Sequence, residues 1–177
     1  GSGREYRRLD AVKAAGLPLV LPLVFPGSPD VQTSEAALGV SLKELMHWDL
    51  APENPGRLDR SGVRIAFTGE GLDKPEDFLS ALRKAVARGL DAEGALKALT
   101  VTPAALFGVS DRLGTLEPGK AAHLVVADGD LFDPKGKARV LETWVDGRRY
   151  EADPWQGGDP RGVWELASAD PAVAASL

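Results

Sequence analysis

Residues 113–132 read LGTLEPGKAAHLVVADGDLF. Gly114 and Gly119 admit the backbone angles of tight turns, and Glu117-Pro118-Gly119-Lys120 is turn chemistry, with Pro fixing one φ and Gly freeing the next. Leu124-Val125-Val126 then suits a strand, predicted over His123 to Asp128. A second strand is predicted from Ala138 to Val145, where Val140, Glu142 and Trp144 alternate with Leu141, Thr143 and Val145. Asp146-Gly147 is a two-residue hairpin turn, because both central positions of that turn need positive φ. It leads into a return strand from Arg148 to Tyr150. From about residue 109 onward the chain is therefore a small β unit.

Upstream the pattern alternates between strand and helix. Arg4 to Ala15 spaces Tyr6, Leu9, Val12 and Ala15 three or four apart, as on one helix face, and Gly16 closes it. Leu17 to Phe25 (LPLVLPLVF) is a continuous apolar run. Its prolines argue against a helix interior, so it is expected to be a strand buried on both faces, as in a parallel sheet. Pro26 to Thr33 is loop. Ser41 to Trp48 is expected to be helical, with Ser41 and Glu44 forming a capping box. Asn54-Pro55 is expected to start another helix, Asn as cap and Pro at its first position, ending near Ser61-Gly62. Val63 to Thr68 is a short strand broken by Gly69-Glu70-Gly71. Pro75 to Gly89 carries a clear apolar stripe of Phe78, Leu79, Leu82, Ala85 and Val86. Asp91 caps the next helix, with Ala95, Leu96 and Leu99 expected inward. Thr102-Pro103 opens a last short helix ending at Gly108. Strand–helix alternation of this kind is the α/β pattern.

Composition narrows the function classes. The 177 residues carry a net charge of -5, and 44% of them are hydrophobic. A mildly acidic chain without basic blocks is a poor nucleic-acid binder. There is no cysteine, which excludes disulfides, thiolate metal sites and a Cys nucleophile. No apolar run approaches the roughly 20 residues of a membrane span. The chain is expected to be soluble, with cytoplasm and periplasm both open. Residues 1–3, Gly-Ser-Gly, read as a cloning scar.

Three ordered motifs carry a family resemblance: Ala95 to Gly108 (ALxxxT.xPAxxxG), Gly114 to Asp130 (GTLEPGKxAxLVV.DGD) and Val140 to Tyr150 (VxxxWVDGRxY). In this order they resemble the C-terminal portion of the amidohydrolase superfamily, in particular its imidazolonepropionase-like metal-dependent hydrolases. The resemblance runs from about Val63 to Tyr150 and is weaker from Leu17 to Gly62. It implies the C-terminal part of a (β/α)8 TIM-type barrel over residues 4–109, followed by the C-terminal half of a small β-sandwich over 110–150. Residues 151–177 would be a tail or the start of a further unit. Leu17 to Phe25 and Val63 to Thr68 would be late barrel strands, and the helices at 75–89 and 92–108 would follow the last one.

Barrel enzymes place their chemistry at the C-terminal ends of strands. Two such ends fall here, Phe25 to Ser28 and Thr68 to Gly71. By resemblance the last strand ends in an aspartate that binds metal and activates water, and that position is Glu70. Its extra methylene would carry the carboxylate about 1.5 Å further. His47 is a second candidate contributor to a metal site, while His123 falls in the predicted β unit as a surface residue. Zinc or a similar divalent ion needs three or four ligands, and the family's HxH signature is absent. No complete metal site is therefore expected in this chain alone, and no bound metal. The resemblance implies a fragment of a larger protein that hydrolyses C–N bonds in amides or peptide-like substrates with metal-activated water. Its partner would be the remainder of that protein or a second copy. The alternative is a degenerate, non-catalytic interaction module that closes its barrel with another chain.

Overall fold

The computed structural model describes residues 1–152. A 3-10 turn, Glu5–Arg8, runs into α1 (Leu9–Ala15), closed by Gly16 at φ 65°. Next come β1 (Leu19–Pro22), α2 (Ser34–Gly39) and α3 (Leu42–Leu50). A second 3-10 turn, Ala51–Glu53, precedes α4 (Asn54–Arg60), and β2 (Ile65–Thr68) follows. Then come α5 (Asp77–Ala87), α6 (Ala92–Leu99) and α7 (Val101–Leu106). Three strands, β3 (Leu124–Ala127), β4 (Val140–Val145) and β5 (Arg148–Glu151), close the described part. The arrangement is α/β, as expected. The reading of 151–177 as a tail or further unit lies almost wholly outside the described residues.

β1 and β2 pair in parallel, Leu19 beside Ile65 through Pro22 beside Thr68. Leu19 donates to the Arg64 carbonyl (2.9 Å) and Leu23 to that of Thr68 (3.2 Å). Odd-numbered amides thus face β2, and the donorless nitrogen of Pro22 lies on the edge without a partner, which is where a strand tolerates proline. The core packs Leu21 and Leu23 against Leu58 of α4, Val63 and Ile65, Leu82 and Ala85 of α5, Leu90, and Ala95 and Ala98 of α6.

The expectation of a strand buried on both faces is corrected. Leu21 and Leu23 are fully buried, yet Val20 and Val24 on the other face are 42% and 41% exposed. Helices cover only one face of this sheet among the described residues. Leu96 is likewise 49% exposed rather than inward, and Gly94 and Ala98 take the buried positions of α6. α2 had no counterpart in the predicted elements; the Thr33 side chain caps it by accepting from Ala36 N.

The β unit is an antiparallel sheet in the order β3-β4-β5. Its hairpin turn has Asp146 at φ 50° and Gly147 at φ 76°, both positive as the Asp-Gly pair requires. His123 is exposed beside that turn, its Nε2 3.2 Å from Asp146 Oδ1. Contacts fasten this sheet to the α/β part: Arg83 of α5 donates to the carbonyls of Leu131 (3.0 Å) and Ala138, and Phe132 packs on the core.

Candidate functional site

Parallel pairing brings the C-terminal ends of β1 and β2 to one side, the side where barrel proteins keep their chemistry. After Thr68 the chain turns sharply. Leu72 N donates to Gly69 O at 3.1 Å, and Gly71 has φ 85°. That is a type II turn, which demands positive φ at its third residue and so a glycine there. Glu70 occupies the second position, and its own N–H donates to Thr68 Oγ1 at 3.2 Å. Its side chain is exposed and has no ion-pair partner among the described residues. The turn therefore holds a carboxylate in the open, at a strand end.

His47 is placed differently. It lies on α3 and lines a cavity of about 530 Å³ with Pro26, Pro29, Asp30, Val40, Glu44 and Trp48. Glu70 does not line that cavity. Both ring nitrogens of His47 are engaged: Arg4 Nε donates to Nε2 (3.3 Å), and Nδ1 lies 3.0 Å from Tyr6 Oη. An arginine can only donate, so Nε2 must accept and the proton sits on Nδ1, facing the phenol oxygen. The Tyr6 ring stacks on the imidazole with centroids 6.2 Å apart. Burial, then repulsion from Arg4 and Arg7, hold the His47 pKa below its ordinary value, which keeps the ring neutral.

Asn54 anchors the same N-terminal segment, and here a second expectation is corrected. Asn54 does not cap α4. A 3-10 turn precedes it, so its backbone is already helical, and Glu53 is the cap residue. The side chain is 1% exposed; Oδ1 accepts from Tyr6 N (2.7 Å) and Nδ2 donates to Glu5 Oε2 (2.8 Å). These partners lie 48 and 49 residues away, and nothing in the local sequence marks them. Glu44 does what its position predicts: it shares a capping box with Ser41, and hydrogen bonds from Ser41 hold its carboxyl below the usual range.

Among the described residues, no group of three or more His, Asp or Glu side chains converges on one point. Three or four ligands are the minimum for zinc, so the described residues do not fit a metal by themselves.

Comparison with known proteins agrees with this architecture. Residues 81–150, from within α5 to β5, match the Amidohydrolase family model. The chain is 29% identical to adenine deaminase 1 of Bradyrhizobium sp. (strain ORS 278) over 176 residues, covering 91% of this chain and 26% of that protein. It is 38% identical over 72 residues to imidazolonepropionase of Thermoplasma acidophilum, covering 40% of this chain and 18% of that protein. Among solved structures, an amidohydrolase from Thermotoga maritima MSB8 superposes with a TM-score of 0.61 at 29% identity, covering 84% of this chain and 35% of that one. The chain thus spans about a quarter of the deaminase and about a third of the Thermotoga protein. The ordered motifs, the parallel pair backed by helices and these matches together support the resemblance to the amidohydrolase superfamily, carried most specifically by residues 81–150.

Proposed function

We propose that this chain is the C-terminal part of a larger amidohydrolase, supplying the last strands of a (β/α)8 barrel and half of a small β-sandwich. The whole protein would hydrolyse C–N bonds in amides, cyclic amides or peptide-like substrates. One observation carries this reading. Among the described residues, a parallel strand pair, covered by helices on one face and open on the other at Val20 and Val24, ends in the exposed carboxylate of Glu70, which has no ion-pair partner there. A relative named for deaminating adenine supports the bond type, since deamination cleaves a C–N bond with water.

In the whole protein Glu70 would act as general base. Its carboxylate takes a proton from the attacking water while the oxygen adds to the carbon bearing nitrogen. The same proton then passes to the departing amine as the C–N bond breaks. The described residues do not make a metal site, so the zinc or similar ion that the superfamily implies would need ligands from the rest of the protein, and this chain alone would be inactive. Its partner is then the remainder of that protein.

Two measurements test this. Metal analysis of the purified 177-residue chain is expected to find well under one equivalent; stoichiometric, tightly held zinc overturns the reading. In the full-length protein, Glu70→Gln is expected to lower kcat about 100-fold or more with KM little changed. An unchanged kcat removes Glu70 from the chemistry.

The edge of β1, which has no further strand beside it among the described residues, favours one other reading, a non-catalytic module that pairs with another chain or a second copy. A stable dimer of this chain, together with a full-length protein that hydrolyses nothing, would support it.

A further inference from the structure

α3 carries an apolar stripe that no described element covers. Leu42, Met46 and Leu50 recur at every fourth position and so share one helical face. Leu42 is 72% exposed and Met46 50%. With Tyr6 they form the floor of a groove of about 700 Å³, lined otherwise by Arg7, Lys43 and Arg57. Three cations and no acid line it, although the chain as a whole carries a net charge of -5. Arg57 is tied to Glu53 (2.8 Å), and Arg7 reaches the Tyr6 hydroxyl (3.3 Å). Among the described residues Lys43 has no ion-pair partner.

An exposed apolar patch with a charged rim marks an interaction surface, and the rim states what it accepts. We propose that this groove docks an amphipathic helix of a separate protein, one whose apolar stripe is flanked by Asp or Glu. The floor is one face of a helix, about 12 Å long at 1.5 Å per residue, which matches the i, i+4, i+7 anchors of a helix laid beside it. No residue of β1 or β2 lines the groove, so extending that sheet would not cover it. A second copy docked face to face would set Arg7 and Lys43 against the same two cations, Arg57 being offset by Glu53, which is costly. The proposal stands independently of the hydrolase reading.

Met46 is the only methionine of the chain, so methyl-¹³C-methionine labelling gives one resonance, placed in the groove. The labelled 177-residue chain is titrated with two synthetic amphipathic helices of identical apolar stripe, flanked by Glu in one and by Lys in the other. The Glu peptide is expected to shift the Met46 methyl and saturate, the Lys peptide to bind at least about tenfold more weakly, and the Arg7→Glu, Lys43→Glu double variant to reverse that order. Equal binding of both peptides overturns the charge argument, and no shift with either overturns the groove. A Met46 shift that depends on protein concentration alone assigns the groove to a second copy. A Met46 methyl already shielded in the full-length protein assigns it to that protein's own chain. Either outcome overturns docking of a separate partner.

Discussion

Removing the Asn54 side chain should loosen the whole N-terminal segment. Asn54 bridges two strangers in sequence, accepting from Tyr6 N at 2.7 Å and donating to Glu5 Oε2 at 2.8 Å while almost fully buried. A neutral hydrogen bond of this kind contributes about 1 kcal/mol and one to a charged group about 1.5–3 kcal/mol. Glu5 is only part-buried, so water can replace its lost donor and the lower end applies. Asn54→Ala is therefore expected to cost about 2–3 kcal/mol, or about 4–12 °C in Tm for a chain of this size. Asn54→Asp separates the two bonds. It keeps an acceptor for Tyr6 N but sets a second carboxylate against Glu5. Such a pair binds a proton more readily in the folded chain than unfolded, so its folded pKa is raised. The stability associated with that proton is present below about pH 4 and is lost as pH rises. The Asp variant should lie close to wild type near pH 4 and fall well below it at pH 7. Urea unfolding at both pH values measures this. An Ala variant within about 0.5 kcal/mol of wild type, or an Asp penalty independent of pH, would refute the tether.

Other perturbations test other parts of the structure. Because His47 is held neutral, with its pKa below the ordinary 6.5, the unfolded chain binds the extra proton. That contribution to stability is full above pH 6.5 and is lost as pH falls. The stability gap between wild type and His47→Gln should shrink from pH 7.5 to pH 5.5, and a constant gap counts against the Arg4–His47–Tyr6 cluster. Gly56→Ala would bring a Cβ to 2.5 Å from Gly89 O and 2.7 Å from Leu90 N, both backbone atoms. Strain of about 1–3 kcal/mol should outweigh the roughly 1 kcal/mol of helix propensity that alanine adds. Gly39→Ala meets nothing within 4 Å and should be neutral or slightly stabilising by thermal melt. Arg83→Ala removes both bonds from α5 to the Leu131 and Ala138 carbonyls. Hydrogen exchange should then quicken in β3, β4 and β5 more than in β1 and β2; uniform change would show that Arg83 is no clasp.

Sequence alone determined whatever is satisfied within a few residues. The Ser41–Glu44 capping box, the Asp91 cap, the Asp146-Gly147 turn and the apolar stripe of α5 all form as expected, because their partners lie one turn or one loop away. The ordered motifs carry the superfamily resemblance for a related reason, since turn glycines and strand apolars keep their spacing wherever the fold keeps its turns. Sequence also marked Glu70 at a strand end, and the Gly69–Leu72 turn shows how it is held there. Tertiary structure decided the rest. Asn54 has the composition of a cap, yet a preceding 3-10 turn and partners 48 and 49 residues away make it a buried tether. Leu17 to Phe25 is apolar on both sides, but only packing reveals that helices cover one of them. His47 has its nitrogens occupied by Arg4 and Tyr6, a fact that no spacing encodes. Burial and side-chain pairing depend on which distant segments meet. That choice is made by the chain as a whole.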